Sequence, residues 1–500
     1  MGIVIGIVIV LALAAFFAVL TCKSKHSDLF RWLLIIFFVA FCFTWVIPYG
    51  YFSGTTYTEY GMNRLGLGDL TSIVYYGAYF GLTTIIYLFV LGGFYGVLSK
   101  TKIYEATVKK VAKKIKGKEL LFSIIISCLF AILASLLKNT FALLVFVPFV
   151  ISILLNAKFD KLTAFIVTFG SIITGALGCT YGTDSLSFFN NYVGTGIDIG
   201  LKYRIIIAVI ALLGYEALLV LRLTRKNKKK VNTEEELESD PFAVEEVKGK
   251  VSTWPVVVIF AVLAIFIVLG FVDWENNFKI TIFSDFHTWL TGLTIGKDFT
   301  LFKYLLGTSA TAFGSFEITT ITVIVFIMSV IAAAMDRVSF NDYLVNFGSG
   351  AKKMLKPVCL YVLVYTVFVT AYMAPFIPTI TNWAYGLTKT FNPYIATLTA
   401  FVTSIFHADL GYTGYLVGKF VSTGYSESLS LIHTLYVTTY GIVQIFVPTS
   451  GLLMVGLSYL KIDYKSWFKY VWMFALLMLV ALLILATIVC LLYTSDAADE

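Results

Sequence analysis

Apolar stretches of about twenty residues recur along this chain from end to end, separated by short loops that carry lysine and arginine. An α-helix of that length crosses the hydrocarbon core of a bilayer, which is about 30 Å thick. Because lysine and arginine concentrate in cytoplasmic loops, the basic loops give each stretch a direction. Continuous membrane spans are predicted at residues 2–21, 32–50, 76–98, 204–222, 253–272, 316–335, 357–377 and 467–489.

Four further apolar stretches are interrupted by polar residues or glycine. Residues 119–156 break near 138–140, and residues 392–421 break around 407–409, so each stretch forms either a re-entrant hairpin or two spans. The other two stretches contain the motifs GCTYGTDS and QIFVPTSG. Backbone groups freed by a broken helix cost several kcal/mol at membrane depth unless they line a cavity or are buried in protein. This pattern indicates the binding site of a transporter.

The two halves of the chain contain these elements in the same order: three spans, a broken stretch, an interrupted helix and a final span. The loop charges make every element run in opposite directions in the two halves, which is the inverted repeat that many secondary transporters use. The predicted fold is an all-α polytopic membrane protein with about ten spans, two re-entrant hairpins and two discontinuous helices. Residues 1–222 form the first repeat, 223–250 a charged and mobile cytoplasmic linker, and 251–489 the second repeat, while 490–500 are interpreted as an adapter-derived tail.

Composition limits the class of protein. Hydrophobic residues make up 59% and charged residues 13%, the mean hydropathy is +0.88, and the formal charge is +8. Since the basic residues lie in loops beside the spans, they do not indicate nucleic-acid binding. Neither a Walker A sequence nor an H-E-x-x-H motif is present, so we expect neither an intrinsic ATP-driven pump nor an enzyme. The expected partners are the lipid bilayer and a small solute, and a homodimer stays open.

Three segments resemble a known family: FVLGGFYGVLSKTKIYEATVKKVAKKIKGKELL at 89–121, TWVIPYG at 44–50 and FVPTSGLLMVGLSYLKIDYKSWFKYV at 446–471. They are similar to the YfcC-like family of the ion transporter superfamily, relatives of C4-dicarboxylate and aminobenzoyl-glutamate carriers. The resemblance implies a secondary carrier in a bacterial cytoplasmic membrane, sometimes for basic amino acids or dicarboxylates. The Pro-Thr-Ser motif of the second break matches the family.

The chain departs from this family elsewhere. Relatives tend to have Asn-Pro-Phe at the first break, where this chain has Asp184-Ser185-Leu186. They also tend to have two glutamates in the first hairpin, where this chain has Lys138 and Asn139. The family name therefore does not transfer a substrate.

The candidate substrate- and ion-binding residues are the glycines and polar residues of both breaks and both hairpin tips. They are Asn139, Gly178, Thr180, Gly182, Thr183, Asp184, Ser185, His407, Asp409, Thr413, Gln444, Pro448, Thr449, Ser450 and Gly451. No catalytic residue and no cofactor are expected. The coupling ion is Na⁺ or H⁺, with Na⁺ at Thr183, Thr449 and Ser450, where hydroxyl and freed carbonyl oxygens supply ligands.

Several of these residues have a second interpretation. Thr449 and Ser450 are also suited to capping backbone groups around Pro448. Asp184 also fits a solvated turn in an external loop. His407 and Asp409 form either a buried ionisable pair or a wetted hairpin tip. Lys138 either faces an anionic substrate or reaches solvent from the tip, which is the better interpretation. For Glu216, within an apolar run, packing against a hydroxyl is favoured over a role as a coupling-ion carboxylate.

The sequence thus predicts a secondary active transporter for a small organic anion or amino acid, working by alternating access. Transport is coupled to Na⁺, to H⁺ or to exchange of a counter-substrate. A sodium/proton antiporter without organic substrate is the first alternative. A non-transporting membrane scaffold or a membrane-embedded enzyme is the alternative from another class.

Overall fold

A computed structural model describes residues 28–226, 237, 239–244, 251–296, 299–307, 309–388 and 390–499, with side chains of the last range described to residue 491. The span predicted at 2–21 lies outside these residues. So does most of the linker predicted at 223–250.

Helices dominate both halves of the described chain. The helices of the first half are α1 Asp28–Val46, α2 Leu70–Leu98, α3 Lys102–Lys114, α4 Glu119–Leu136, α5 Val147–Asn156, α6 Lys161–Ala176, α7 Asp184–Val193 and α8 Leu201–Lys226. Those of the second half are α9 Trp254–Phe271, α10 Trp274–Phe278, α11 Ile282–Gly292, α12 Leu301–Leu306, α13 Ile318–Met335, α14 Phe340–Lys353, α15 Leu355–Met373, α16 Ile377–Tyr385, α17 Pro393–Phe406, α18 Leu410–Gly424, α19 Leu429–Gln444, α20 Gly451–Tyr459 and α21 Tyr464–Asp499. Short 3₁₀ turns lie at Leu67–Asp69, Thr140–Val145 and Ser426–Ser428, and α6 contains a π turn at Ile166–Gly170.

Within the described residues, 8 helices are long and apolar enough to cross a membrane. They are α1, α2, α4, α8, α9, α13, α15 and α21, and the apolar stretch of α2 includes the 3₁₀ turn that precedes it, from Leu67. The prediction of an all-α multi-pass membrane protein is confirmed. The breaks predicted near 138–140 and 407–409 are present, because α4 and α17 end there. Whether the hairpins re-enter or span stays a prediction.

A two-stranded sheet follows α1 and was not predicted. Strands β1 Tyr49–Ser53 and β2 Thr56–Gly61 pair antiparallel. The span predicted at 32–50 is wrong at its end, because Pro48 has no N–H to continue the helix ladder and strand-favouring tyrosines follow. The Tyr57 hydroxyl lies 2.7 Å from the Thr379 hydroxyl, so the hairpin is fixed to the second half of the chain.

The order of elements repeats between the halves. A long helix, a short helix, a broken hairpin, an interrupted helix and a long final helix run from α2 to α8, and again from α15 to α21. We call residues 119–156 the first hairpin, 393–424 the second hairpin, 177–183 the first break and 445–450 the second break. The opposite orientation of the two halves in a membrane stays a prediction.

The described part of the central linker is packed into the protein. Phe242 is 1% exposed, and its ring centroid lies 5.6 Å from that of Tyr95 and 6.3 Å from that of Tyr459. The Ser152 hydroxyl donates to the Asp240 carboxylate at 2.6 Å, and Lys353 donates to the carbonyl of Pro241 at 2.6 Å. Residues 239–242 therefore join the first hairpin to α2, α14 and α20, unlike the mobile segment that the charge pattern predicted.

This packing predicts a pH-dependent stability. Burial raises the pKa of Asp240 from 3.8 to about 6, against hydrogen bonds from Ser152 and the Phe242 N–H. Because the folded protein holds this proton more tightly than the unfolded chain does, the contribution of Asp240 to stability is fully present below pH 3.8 and is lost as the pH rises to about 6. Asp240→Asn removes the cost of the buried charge while retaining an acceptor for the Phe242 N–H. We expect the variant to be more stable than the wild type by about 3 kcal/mol near neutral pH, with little gain near pH 4.

Thermal unfolding of both proteins across this pH range checks the prediction. Asp463→Asn, which removes an exposed carboxyl group, is the matched control and is expected to leave the melting temperature unchanged. A gain in melting temperature for Asp240→Asn that is the same at every pH would contradict the predicted titration of this carboxyl group.

Candidate functional site

Both hairpin tips and both breaks meet around one cavity of about 300 Å³. That volume accommodates a small organic solute. The lining side chains come from α2, α15 and the two interrupted helices as well as from the tips. They are Thr84, Lys138, Asn139, Thr140, Phe141, Ile173, Ala176, Cys179, Thr183, Asp184, Ser185, Phe188, Tyr361, Tyr365, Ala408, Asp409, Tyr440, Gly441, Gln444, Ser450, Gly451 and Leu452.

The first break is held by main-chain hydrogen bonds to the tip of the first hairpin. The N–H groups of Tyr181 and Gly182 donate to the carbonyl of Ser135, at 3.2 and 2.9 Å. The N–H of Thr183 donates to Leu137, and that of Asp184 to Lys138, at 3.1 and 2.7 Å. N–H groups freed at the first break thus donate to carbonyl groups freed at the tip of the first hairpin. Both sets of groups would be costly at membrane depth if they had no partner.

The backbone of this break is strained at two non-glycine residues. Cys179 has φ 40° and Thr183 has φ 82°, both in the left-handed region. Such conformations persist where the surrounding structure enforces them, and they cluster at functional sites. The Thr183 hydroxyl accepts the N–H of Leu186 at 3.3 Å, so Thr183 is the N-cap of α7. Because Asp184 is the first residue of α7 and lines the cavity, the interpretation of this residue as a solvated turn residue is wrong.

Lys138 and Asn139 lie at the tip of the first hairpin and both line the cavity. The ammonium group of Lys138 is 3.2 Å from the carboxylate of Asp273, and the Asn139 side chain accepts the N–H of Phe141 at 3.0 Å. Lys138 is 20% exposed, so the interpretation that it reaches solvent from the tip stays a prediction, but its charge is paired with Asp273. Glu216 has the packing role, since the Ser127 hydroxyl donates to it at 2.5 Å.

The second break is joined to the second hairpin by side-chain hydroxyl groups. Thr449 donates to the carbonyl of Ile405 at 2.6 Å, and Tyr440 donates to that of Ala408 at 2.8 Å. Helix α20 starts at Gly451, and the Ser450 side chain makes no capping hydrogen bond to it. The N-terminus of α20 therefore faces the cavity through Ser450, Gly451 and Leu452 without a side-chain cap.

At the tip of the second hairpin, Asp409 and His407 have different surroundings. The Asp409 carboxylate lines the cavity, accepts the N–H of Gly411 at 2.7 Å and lies beside the Ser185 hydroxyl. His407 is 0% exposed, and its Nδ1 is 3.0 Å from the Thr413 hydroxyl. The ring of His407 also packs against that of Tyr412. The wetted-tip interpretation is therefore wrong for His407.

The structure divides the predicted site residues into two groups. Those that line the cavity are Asn139, Thr183, Asp184, Ser185, Asp409, Gln444, Ser450 and Gly451. Those that pack behind its lining are Gly178, Thr180, Gly182, His407, Thr413, Pro448 and Thr449. In the second group Thr180 donates to the carbonyl of Ser135, and Gly178 packs against Ala208. The Na⁺ predicted at Thr183, Thr449 and Ser450 stays a prediction, although Thr449 is outside the lining.

Sequence reasoning assigned no tyrosine to the site, yet Tyr361, Tyr365 and Tyr440 line the cavity. The hydroxyl groups of Tyr361 and Tyr365 are 3.4 Å apart, on successive turns of α15. This chain has 30 tyrosines, so the residue type alone carries no signal. The spacing of i and i+4, which puts Tyr361 and Tyr365 on one face of α15, was the sign that the sequence offered.

The charges of the lining are unequal. Lys138 is its cation, and that cation is already paired with Asp273, while Asp184 and Asp409 supply two carboxyl groups. The uncapped N-terminus of α20 offers a partial positive charge nearby. The cavity thus has an acidic side that suits an ammonium group and an electropositive helix end that suits a carboxylate.

Two family models match separate parts of the chain. One is described as a citrate transporter and matches residues 61–293, and the other is described as a C4-dicarboxylate anaerobic carrier and matches residues 427–494. An uncharacterized protein of Haemophilus influenzae is 23% identical over 149 residues, which are 30% of this chain and 29% of that protein. The chain thus matches less than a third of the length of this curated relative.

Two solved structures align with most of the chain. The YdaH transporter of Alcanivorax borkumensis has a TM-score of 0.38 and 11% identity, covering 91% of this chain and 97% of that chain. MtrF of Neisseria gonorrhoeae, described within a class of antimetabolite efflux pumps, has a TM-score of 0.38 and 12% identity, covering 93% and 95%.

The carrier-family matches and the apolar helices bear out the coarse predictions made from the sequence. The described residues include the apolar helices of a multi-pass membrane protein, and both matched families are carriers and not enzymes. The predicted similarity to carrier families, C4-dicarboxylate carriers among them, is confirmed, while membership of the YfcC-like family stays a prediction. The substrate of this protein, its coupling ion and the bacterial cytoplasmic membrane as its location stay predictions.

Proposed function

We propose that the protein is a secondary active transporter that moves a small organic anion or amino acid across the cytoplasmic membrane by alternating access. The observation that carries this proposal is the cavity at which both hairpin tips and both breaks converge. Substrate binds between the breaks, and the hairpins seal the two sides in turn. Transport is coupled to Na⁺, to H⁺ or to counter-substrate exchange.

Among these solutes, the charges of the lining favour an amino acid. The substrate carboxylate lies at the N-terminus of α20, near Ser450 and Gly451, and the amino group faces Asp184 and Asp409. A citrate or C4-dicarboxylate, the substrates for which the matched families are named, places further negative charge beside these two carboxyl groups. Like charges at close range in a poorly solvated site cost several kcal/mol.

A ligand screen on the purified protein tests the proposal. Ligands that bind the folded state raise its melting temperature, and we expect one or more amino acids to do so while citrate and C4-dicarboxylates do not. The same amino acid should then be taken up by proteoliposomes under an imposed Na⁺ or H⁺ gradient, or in exchange for the same solute inside. Stabilisation by dicarboxylates alone would overturn the preference for an amino acid.

The antiporter alternative gives a different result in the same vesicles. A sodium/proton antiporter moves protons when Na⁺ is added without any organic solute, which an internal pH indicator detects. Proton movement of that kind, together with no response to any solute in the screen, would overturn the proposed function.

A further inference from the structure

Arg204 is a fully buried cation on the fourth residue of α8, with 0% of its surface exposed. A buried charge is costly unless it is paired or hydrogen-bonded. Its guanidinium group donates to four main-chain carbonyl oxygens. These belong to Cys179 and Thr180 in the first break, and to Ile197 and Ile199 in the segment that leads to α8. The guanidinium group of Arg204 thus contacts carbonyl oxygens that the broken helix leaves without helical hydrogen bonds.

Trp467 holds the equivalent place in the second half of the chain. It is the fourth residue of α21, is 0% exposed, and donates from its indole N–H to the carbonyl of Ile445 at 2.8 Å. The hydroxyl of Tyr464 on the same helix donates to the carbonyl of Phe446. The two breaks are therefore supported by the same position of the repeat, but with a cation at the first break and neutral donors at the second.

The carbonyl groups at the tip of the first hairpin are also hydrogen-bonded at the first break. Its carbonyls at Ser135, Leu137 and Lys138 accept N–H groups of residues 181–184. Carbonyl oxygens freed at a broken helix are the groups that bind Na⁺ in transporters of this kind. At the first break these oxygens already have donors, and a second cation beside the guanidinium would be repelled at short range.

We propose that Arg204 is a built-in cation that replaces a dissociable coupling cation at the first break, so that at most one Na⁺ binds, and it binds away from the first break. This inference rests on the proposed transport function. It makes Arg204 a positioning residue, since it acts on substrate through the main chain of Cys179 and Thr180.

The test compares melting temperatures in NaCl and in choline chloride at equal ionic strength. The dependence of the wild-type melting temperature on Na⁺ concentration is expected to correspond to the binding of no more than one ion. In choline chloride, Arg204→Met should have a lower melting temperature than the wild type. In NaCl it should regain roughly half of that decrease, because the vacated carbonyl oxygens now bind Na⁺. The dependence of its melting temperature on Na⁺ concentration should correspond to one bound ion more than in the wild type. Lys202→Met, which removes an exposed cation two residues away, is the matched control and should match the wild type.

Two results would overturn the inference. One is a decrease in the melting temperature of Arg204→Met that is equal in NaCl and choline chloride. The other is a wild-type melting temperature whose dependence on Na⁺ concentration corresponds to two bound ions. Should Arg204→Met fail to fold, Arg204→Lys keeps the charge with fewer donors and is expected to melt lower without any gain in Na⁺ dependence. A gain in that variant would contradict the inference too. These measurements need no transport, so a failure of amino-acid uptake in proteoliposomes would refute the proposed function separately.

Discussion

Asp409→Asn is expected to weaken amino-acid binding at least about thirty-fold, which corresponds to about 2 kcal/mol. Asparagine has nearly the same shape and keeps the oxygen that accepts the N–H of Gly411, so the hairpin tip should retain its conformation. What it removes is one of the two carboxyl groups that face the cavity, and with it the charge opposite the substrate's ammonium group. The ligand-induced rise in melting temperature and the KM of uptake by proteoliposomes both measure the loss.

Glu427→Gln is the matched control for this variant. Glu427 is an exposed carboxylate in the 3₁₀ turn that follows the second hairpin, and its neutralisation is expected to leave binding and uptake unchanged. Wild-type affinity in Asp409→Asn, with its ligand-free melting temperature also unchanged, would remove Asp409 from the proposed binding site.

Gly441→Ala is expected to cost about 3 kcal/mol or more of stability and to abolish uptake. Gly441 lies on α19 where the two interrupted helices cross, and it lines the cavity. A Cβ atom there would lie 2.2 Å from the carbonyl oxygen and 2.7 Å from the Cα of Leu177, at the start of the first break. Because these are main-chain atoms, the added methyl group can be accommodated only if the helices separate. Thermal unfolding and uptake measure the two effects.

Gly348→Ala provides the contrast on another helix. Gly348 is exposed in α14, and an added Cβ would meet nothing within 4 Å. Alanine favours a helix over glycine by about 1 kcal/mol, so this substitution should be neutral or slightly stabilising. Equal stability of Gly441→Ala and Gly348→Ala would show that the close crossing is not required for folding.

The elements that carry chemistry were predicted from the sequence because breaking a membrane helix needs particular residues. The glycines and hydroxyl groups of the GCTYGTDS motif, and Pro448 in the second motif, cannot continue an apolar helix without support. The structure breaks both helices at these motifs and both hairpins at their polar centres. The ends of elements were predicted less well, as at Val46, where the next residues decide between helix and strand.

The contents of the site were predicted only in part, because lining a cavity is a property of side-chain direction and not of position in a motif. Asp184 and Thr180 belong to the same motif, yet Asp184 faces the cavity and Thr180 bonds to the carbonyl of Ser135 behind it. Tyr361 and Arg204 come from distant helices that no local pattern connects to the breaks.

By itself, the sequence determined that this chain is a multi-pass helical membrane protein with paired interruptions, since hydrophobic length and helix-breaking residues are local properties. Only the tertiary structure decided which polar groups face the cavity, that Lys138 is paired with Asp273, and that a buried arginine supports one break where a tryptophan supports the other. The reason is physical: backbone groups released at a break must be satisfied by whatever packs against them, and in this protein those partners lie on other helices.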